Sequence, residues 1–443
     1  MRKLLTPLQF LLSLLVQVQA SAQYDVFVYR GTPEGIAAAI SAAEMGNRVL
    51  LIEPSAHVGG MATEGGIGLR DGPEYVRSDP RSSQYRWGRK NAKHYGVDGV
   101  IWQPDHYVGE SSFLEMLLEA GVDLLLDTDF VEGAEGVRID RSGLPTDSPG
   151  IIDAIRLEKD TWVEASYFID ASYEGELMQA TGVDFAFGRE PAELYQEKWG
   201  GVSDFSAAPF RFPISPFGDD GRLLRYITPG KSPDGELGQG NDNLMAYSYR
   251  VCPTRDANLS VSVTPPHRYR AADFELARRL VLAETDQNTS LSEPWLYLDY
   301  IGYNQIPGKL MKYDGCCGTG PVGIDLVGLA AGYANCSRSD RPRIASEHLY
   351  YVQALLWFWR SDPSVPQSVR ERHLEYGLCG GEWTDNNHFP RQLYAREAAR
   401  MVGDRVFTQN DRVEACRHDS IAVGSWGLDI HEMQRIAVER KEG

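Results

Sequence analysis

The stretch "DVFVYRGTPEGIAAAISAAEMGNRVLLIEP", residues 25–54, constrains the fold more than any other. Residues 26–29 and 49–52 are short apolar runs without alternation, as strands covered on both faces require. Between them lie a Gly/Pro turn and an alanine-rich stretch, 36–45, that predicts a helix ended by Gly46. Strand, turn, helix and strand in about 30 residues make one βαβ unit. Its turn comes close to the dinucleotide fingerprint G-x-G-x-x-G, in which glycines let backbone approach a pyrophosphate and let helix pack on strand. The helix N-terminus then offers free N–H groups to phosphate. Gly35 keeps the third glycine, and Gly31 supplies flexibility one position late. Pro33 is tolerated at the helix start, where its missing N–H is not needed. Arg30 and Thr32 replace the first two glycines. Arg30 either reaches a phosphate or weakens the turn. Glu53, at the end of the second run, is placed to accept from a ribose hydroxyl and would repel a 2′-phosphate, which disfavours NADP.

At 443 residues the chain predicts two domains, or one large domain with an insertion. A formal charge of −18 argues against nucleic acid or an anionic membrane as the main partner, since both select a basic face. Arg2 and Lys3, an apolar run and the small-x-small sequence Ala20-Ser21-Ala22 predict a signal peptide over residues 1–22, cleaved near Ala22, and a secreted or periplasmic mature chain. No later run is long and apolar enough to suggest a membrane span. The six cysteines permit disulfides but leave connectivity open, and their spacing suggests no metal site.

Two further segments join the βαβ unit. "PSAHVGGMATEGGIGLRDG" follows Glu53 directly, and "WVEASYFIDASYEGELMQATGVDFAFGRE" spans residues 162–190. With "YSYRVCPT" and "FPRQLYAREAARMVGDRVFTQND", they resemble the secreted FAD-dependent oxidoreductases that carry "GGTPxG", "GGM…GG…D" and "FIDASYEG" segments. The resemblance covers about residues 24–434. It implies an α/β fold (α+β overall): a discontinuous, Rossmann-like FAD-binding domain of the glutathione-reductase type, with an inserted β-rich and helical substrate domain. It implies that Gly31, Thr32, Pro33, Glu34 and Gly35 wrap the FAD pyrophosphate and that Glu53 holds the ribose. Gly59, Gly60, Met61 and Ala62 would line the ribityl and flavin side. Val131 would present backbone to adenine, and Ala171 and Ser172 would close over the cofactor. Family members usually continue past "GSWGLDIHEMQR" into a Gly/Ala-rich helix facing the flavin. The sequence ends at Gly443 without one, which leads to the expectation of a fragment, or of weak or absent FAD retention.

The expected organisation is an FAD domain at 23–190, with 71–106 as a loop excursion. A substrate-facing domain follows at 191–345, and a helical segment at 346–443 returns to the first. Helices are expected at 111–120, from 173, at 274–284, 346–360 and 391–401, a strand at 122–127, and short strands within 210–254. A flavin takes the hydride, so the protein must handle the remaining proton. Histidine suits that task. His431, with Asp429 two residues before it, and His388 are the candidates. Arg391, Arg396 and Arg400 on one helix could bind a carboxylate or pair with Glu397 or Asp404. Asp314 and Asp325 could hold polyol hydroxyls, and Trp87, Trp102, Trp383 and Trp426 could stack on sugars. The expected function is transfer of hydride from a small polar substrate, carbohydrate-derived compounds included, to FAD, with the oligomeric state left open. The alternative from another class is a cofactor-less homologue acting as a binding protein.

Overall fold

In the computed structural model the described residues are 23–66, 79–145, 150–203, 210, 212–228, 236–286, 299–303, 312–316, 321–411 and 429–435. They divide into two compact units. Unit 1 holds the chain up to residue 186 and residues 399–405; unit 2 holds 187–398 and 406 onward. The first boundary thus falls at 186/187, four residues before the expected 190/191.

Unit 1 is built on β1 (Gln23–Tyr29), α1 (Pro33–Glu44) and β2 (Val49–Ile52), the βαβ unit read from sequence. Thr32 caps α1 by accepting from the Gly35 N–H at 3.1 Å. Then come α2 (Gly60–Thr63), α3 (Ser83–His94), α4 (His106–Ala120) and β3 (Asp123–Leu125). Strands β4 (Val137–Asp140), β5 (Ile151–Leu157) and β6 (Thr161–Asp170) precede α5 (Glu176–Ala180). The sheet order is β3-β2-β1-β6-β5-β4. The β3–β2, β2–β1 and β1–β6 pairs are parallel; β5 and β4 join antiparallel. A short ribbon pairs β7 (Phe185–Ala186) with Arg400–Met401.

Alternate residues of β1 face opposite layers. Val26 and Val28 pack with Ile36, Ala39 and Ile40 of α1 and Phe113, Met116 and Leu117 of α4. Phe27 and Tyr29 pack with Phe130, Ile155 and Leu157. Each large apolar side chain so buried contributes about 1.5–3 kcal/mol. This double cover is why the strands read as unbroken apolar runs.

The excursion expected at 71–106 contains a regular helix, α3, and its residues 71–78 lie outside the described residues. Trp87 anchors α3, stacking on Phe113 at 5.0 Å between ring centroids and donating to the Gly109 carbonyl at 2.9 Å. Its polar outer face had hidden it. Trp102 and Trp383 are buried as well, so three of the four tryptophans offered as sugar platforms are core residues; Trp426 lies outside the described residues.

In unit 2, α6 (Ala192–Tyr195) is followed by β8 (Pro253–Thr254), β9 (Ser260–Val261), α7 (Glu275–Asp286), β10 (Asp299–Tyr303) and β11 (Lys312–Cys316). Helices α8 (Ala330–Ala334), α9 (Arg341–Ser361) and α10 (Gln367–Leu374) lead to β12 (Gly377–Cys379). The sheet order is β10-β11-β8-β12-β9. A disulfide between Cys252 and Cys379 fastens β8 to β12, with Trp383 packed on it. Before residue 253, the described part of the expected strand-rich stretch makes only isolated bridges, such as Phe217 with Leu223 and Tyr247 with Leu326.

Residues 391–399 are not a helix. The Tyr394 N–H donates to the Ser248 carbonyl at 3.0 Å and Arg396 Nε to the Ala246 carbonyl at 2.8 Å, so this chain pairs with 246–248 instead of coiling on itself. Arg396 and Arg400 therefore share no helix face. No described helix is long and apolar enough to cross a membrane.

Candidate functional site

The carboxyl ends of β1, β2 and β6 form one edge of the unit 1 sheet, where open α/β sheets bind ligands. Residues of all four predicted clusters are bonded together there. The Gly31 N–H donates to Glu53 Oε2 at 2.9 Å, and the Gly59 N–H donates to the Gly31 carbonyl at 2.6 Å. Thr32 Oγ1 donates to the Ala171 carbonyl at 2.9 Å. Gly35 is required by closeness: a Cβ there would stand 2.1 Å from the Arg30 carbonyl oxygen and 3.0 Å from the Ala171 Cβ. Ser172 turns inward, its hydroxyl donating to Asp170 at 2.7 Å and accepting from the Glu176 N–H at 3.0 Å.

The rest of the Gly59–Ala62 cluster is held through a residue the sequence reading passed over. The Met61 N–H donates to the Tyr173 hydroxyl at 2.9 Å. That phenol keeps its own proton for another acceptor. Burial, followed by the charge of Glu34, pushes its pKa up, so it stays a neutral donor. Its signal was visible: it directly follows the two small residues, Ala171 and Ser172, that come after β6.

Val131 is tied elsewhere. Its N–H donates to the Arg156 carbonyl at 2.8 Å, so that part of the backbone expected to face adenine is spent on β5.

Arg30 resolves the choice left by the sequence. It adopts φ +81°, the left-handed conformation that glycine would supply without cost. Its guanidinium bonds Glu176 at 2.9 Å and lies 3.6 Å from Glu53. Tyr29 donates to the same Glu176 oxygen at 2.8 Å. Ion pairs thus hold a turn that backbone preference alone would resist.

These residues fit an FAD pyrophosphate and ribose. Gly35 N–H is capped and Gly31 N–H is taken, but the Thr32 and Glu34 amides meet no acceptor among the described residues and stand at the N-terminus of α1. Two such amides, with the positive end of the helix dipole, suit an anion. Glu53 takes N–H groups of Gly31 and Ser55, one on each oxygen at 2.9 Å, which leaves a lone pair for a ribose hydroxyl.

Unit 2 gathers a second constellation, of charged side chains. His431 Nδ1 is 2.6 Å from Asp325, and its Nε2 is 3.2 Å from Asp429. Arg396 Nη2 is 2.9 Å from the other Asp325 oxygen, and the guanidinium stacks over the Tyr394 ring at 4.3 Å. Arg396 is 4 % exposed and His431 10 %. Burial opposes charge on His431, but hydrogen bonds to Asp325 and Asp429 outweigh it and set its pKa at about 9. Burial likewise works to raise Asp325, yet Arg396 and then His431 hold it well below the carboxylate range. At neutral pH the ring is an imidazolium donating from both nitrogens, and it gains a free lone pair only above about pH 9.

Asp325 therefore faces cations, not the hydroxyls suggested for it, and Arg396 pairs with Asp325, not Glu397 or Asp404. Glu397 instead accepts the Met245 N–H at 2.8 Å. His388 stands on a left-handed backbone, φ +64°, with Nδ1 3.2 Å from the Glu382 carbonyl oxygen. Arg391 pairs with Asp385.

The model of the FAD dependent oxidoreductase family matches residues 25–443. Among solved structures, THI4 of Thermovibrio ammonificans is 17 % identical, with a TM-score of 0.26, covering 41 % of this chain and 69 % of that one. L-Proline dehydrogenase of P. horikoshii is 15 % identical (TM-score 0.26; 38 % and 58 %). Glycine oxidase of Geobacillus kaustophilus is 16 % identical (TM-score 0.26; 37 % and 60 %). The chain spans less than two thirds of the latter two. No curated protein matches it.

Proposed function

Because the chain belongs to the FAD-dependent oxidoreductase family, we propose that it is an exported flavoenzyme that oxidises a small polar organic substrate, carbohydrate-derived compounds being the first class to try. FAD is the cofactor, and when bound it supplies the hydride acceptor. The observation that carries the reading is the pair of open amides, Thr32 and Glu34, beside Glu53 at the carboxyl edge of the sheet. Thr32, Glu34 and the α1 terminus would hold the pyrophosphate, Glu53 the ribose, and Tyr173 would offer its hydroxyl proton to an acceptor on the cofactor. Gly35 and Ala171 keep the crossing of α1 and β6 close.

His431 is the proposed proton-handling group. Held as an imidazolium with both N–H groups on aspartates, it would take up the substrate's proton only in alkaline solution, above about pH 9. Export is supported by the signal-like N-terminus and by the Cys252–Cys379 disulfide, a bond that persists in oxidising compartments.

The test starts from the full chain purified without added flavin. Visible flavin absorbance near one FAD per chain is expected, with loss of most of it in Glu53→Ala. A colourless protein that binds no added FAD overturns the proposal. Anaerobic bleaching by sugars or polyols supports the substrate class, and bleaching by amino acids alone replaces it. A mature N-terminus at Gln23, read by mass spectrometry after secretion, checks export; a retained leader refutes it.

A further inference from the structure

We propose that His57, Glu64 and Glu110 of unit 1 form a binding site for one divalent transition-metal ion of the zinc type. One ligand atom from each lies within 4.8 Å of the others. His57 Nδ1 is already 3.1 Å from Glu110 Oε1. Donors about 2.0–2.2 Å from a tetrahedral zinc stand roughly 3.3–3.6 Å apart, so closing the two sides to Glu64 needs a side-chain movement of about 1 Å.

The three positions are fixed by backbone. His57 lies in the loop after β2, its carbonyl accepting from Ser55 Oγ at 2.9 Å and its N–H donating to the same hydroxyl at 3.2 Å. The next residue, Val58, donates its N–H to Glu110 Oε1 at 3.3 Å and accepts from Thr63 Oγ1 at 2.7 Å. Glu64 follows α2 directly, its N–H returning to the Gly60 carbonyl at 2.8 Å. Gly59 leaves no slack: a Cβ there would stand 2.5 Å from Thr63 Oγ1 and 3.0 Å from the Phe113 ring. Loop, α2 and α4 thus present one nitrogen and two carboxylates at a preset spacing.

The chemistry selects the ion. Glu64 is 5 % exposed, and one imidazole nitrogen with two carboxylate oxygens gives a dication two formal negative charges to pair with. An imidazole with only two carboxylates suits zinc, cobalt or nickel; calcium needs six to eight oxygens. Binding exchanges the His57 Nδ1 proton for the metal, and water completes the shell. The ion would clamp the loop carrying Gly59 and Gly60 to α4, a positioning role independent of the redox step.

The test uses the untagged full chain, stripped with EDTA and dialysed. Zn²⁺ titration calorimetry should show one site with Kd of about 10 µM or tighter. Co²⁺ should produce ligand-field bands of a nitrogen- and oxygen-ligated ion. His57→Ala and Glu110→Gln should each weaken binding at least tenfold, while His94→Ala, which removes the separate His94–Glu115 pair at 3.1 Å, should not. Should His57→Ala fail to fold, Glu110→Gln and the wild-type Co²⁺ spectrum still decide. Absence of saturable binding, or tight binding that survives both substitutions, overturns the proposal and leaves His57–Glu110 a simple ion pair.

Discussion

The two constellations are built by opposite means. The cradle in unit 1 is mostly main chain: amides of a turn and a helix end, glycines that admit close approach, and one carboxylate. Its first half lies within 24 positions of sequence, from Tyr29 to Glu53. The network in unit 2 is side chain: Arg396, Asp325, His431 and Asp429, with Asp325 and His431 106 positions apart. A backbone site tolerates side-chain change but not added volume. A charge network tolerates volume but not neutralisation.

The largest expected effect breaks the charge network. Asp325→Asn strands Arg396 as a buried cation and leaves His431 only Asp429, and should cost about 3–5 kcal/mol in denaturant unfolding. A loss below about 1 kcal/mol would show the network to be dispensable. In the cradle the equivalent blow is steric. Gly35→Val drives a side chain into the Arg30 carbonyl and Ala171, and should cost about 3 kcal/mol and abolish flavin retention. Asparagine-like polar changes at exposed Glu34 should leave retention within a few-fold, because its amide is the contact.

Next comes pH. His431 has its pKa raised in the folded state to about 9 from 6.5, so its stabilisation is complete below about pH 6.5 and is lost as pH rises through about 9. The loss should reach at most about 3 kcal/mol, and His431→Gln should flatten it. A wild-type stability profile flat over that window would contradict the assigned charge. The smallest effect is Thr32→Val, which removes the α1 cap and the bond to Ala171 and should cost about 1 kcal/mol, seen as a lower Tm.

The βαβ unit was legible because its signals are local. Strand runs, Pro33, Gly35 and the closing Gly46 each act over three or four residues. Helix α3 was missed because Trp87 gains its meaning only against Phe113 and Gly109. The helix expected at 391–401 failed for the converse reason: its periodicity was sound, but residues 246 and 248 supplied competing partners.

By itself the sequence determined the parallel core, the Gly/Pro turn after β1 and the acidic residue at the end of β2, since propensity and apolar runs are properties of neighbours along the chain. Only the tertiary structure decided that Arg30 is held by Glu176 and Glu53, that Cys252 bonds Cys379, and that His431 is a cation between two aspartates. Ion pairs and disulfides depend on distances between remote segments, and the spacing of residues along a chain does not encode those distances.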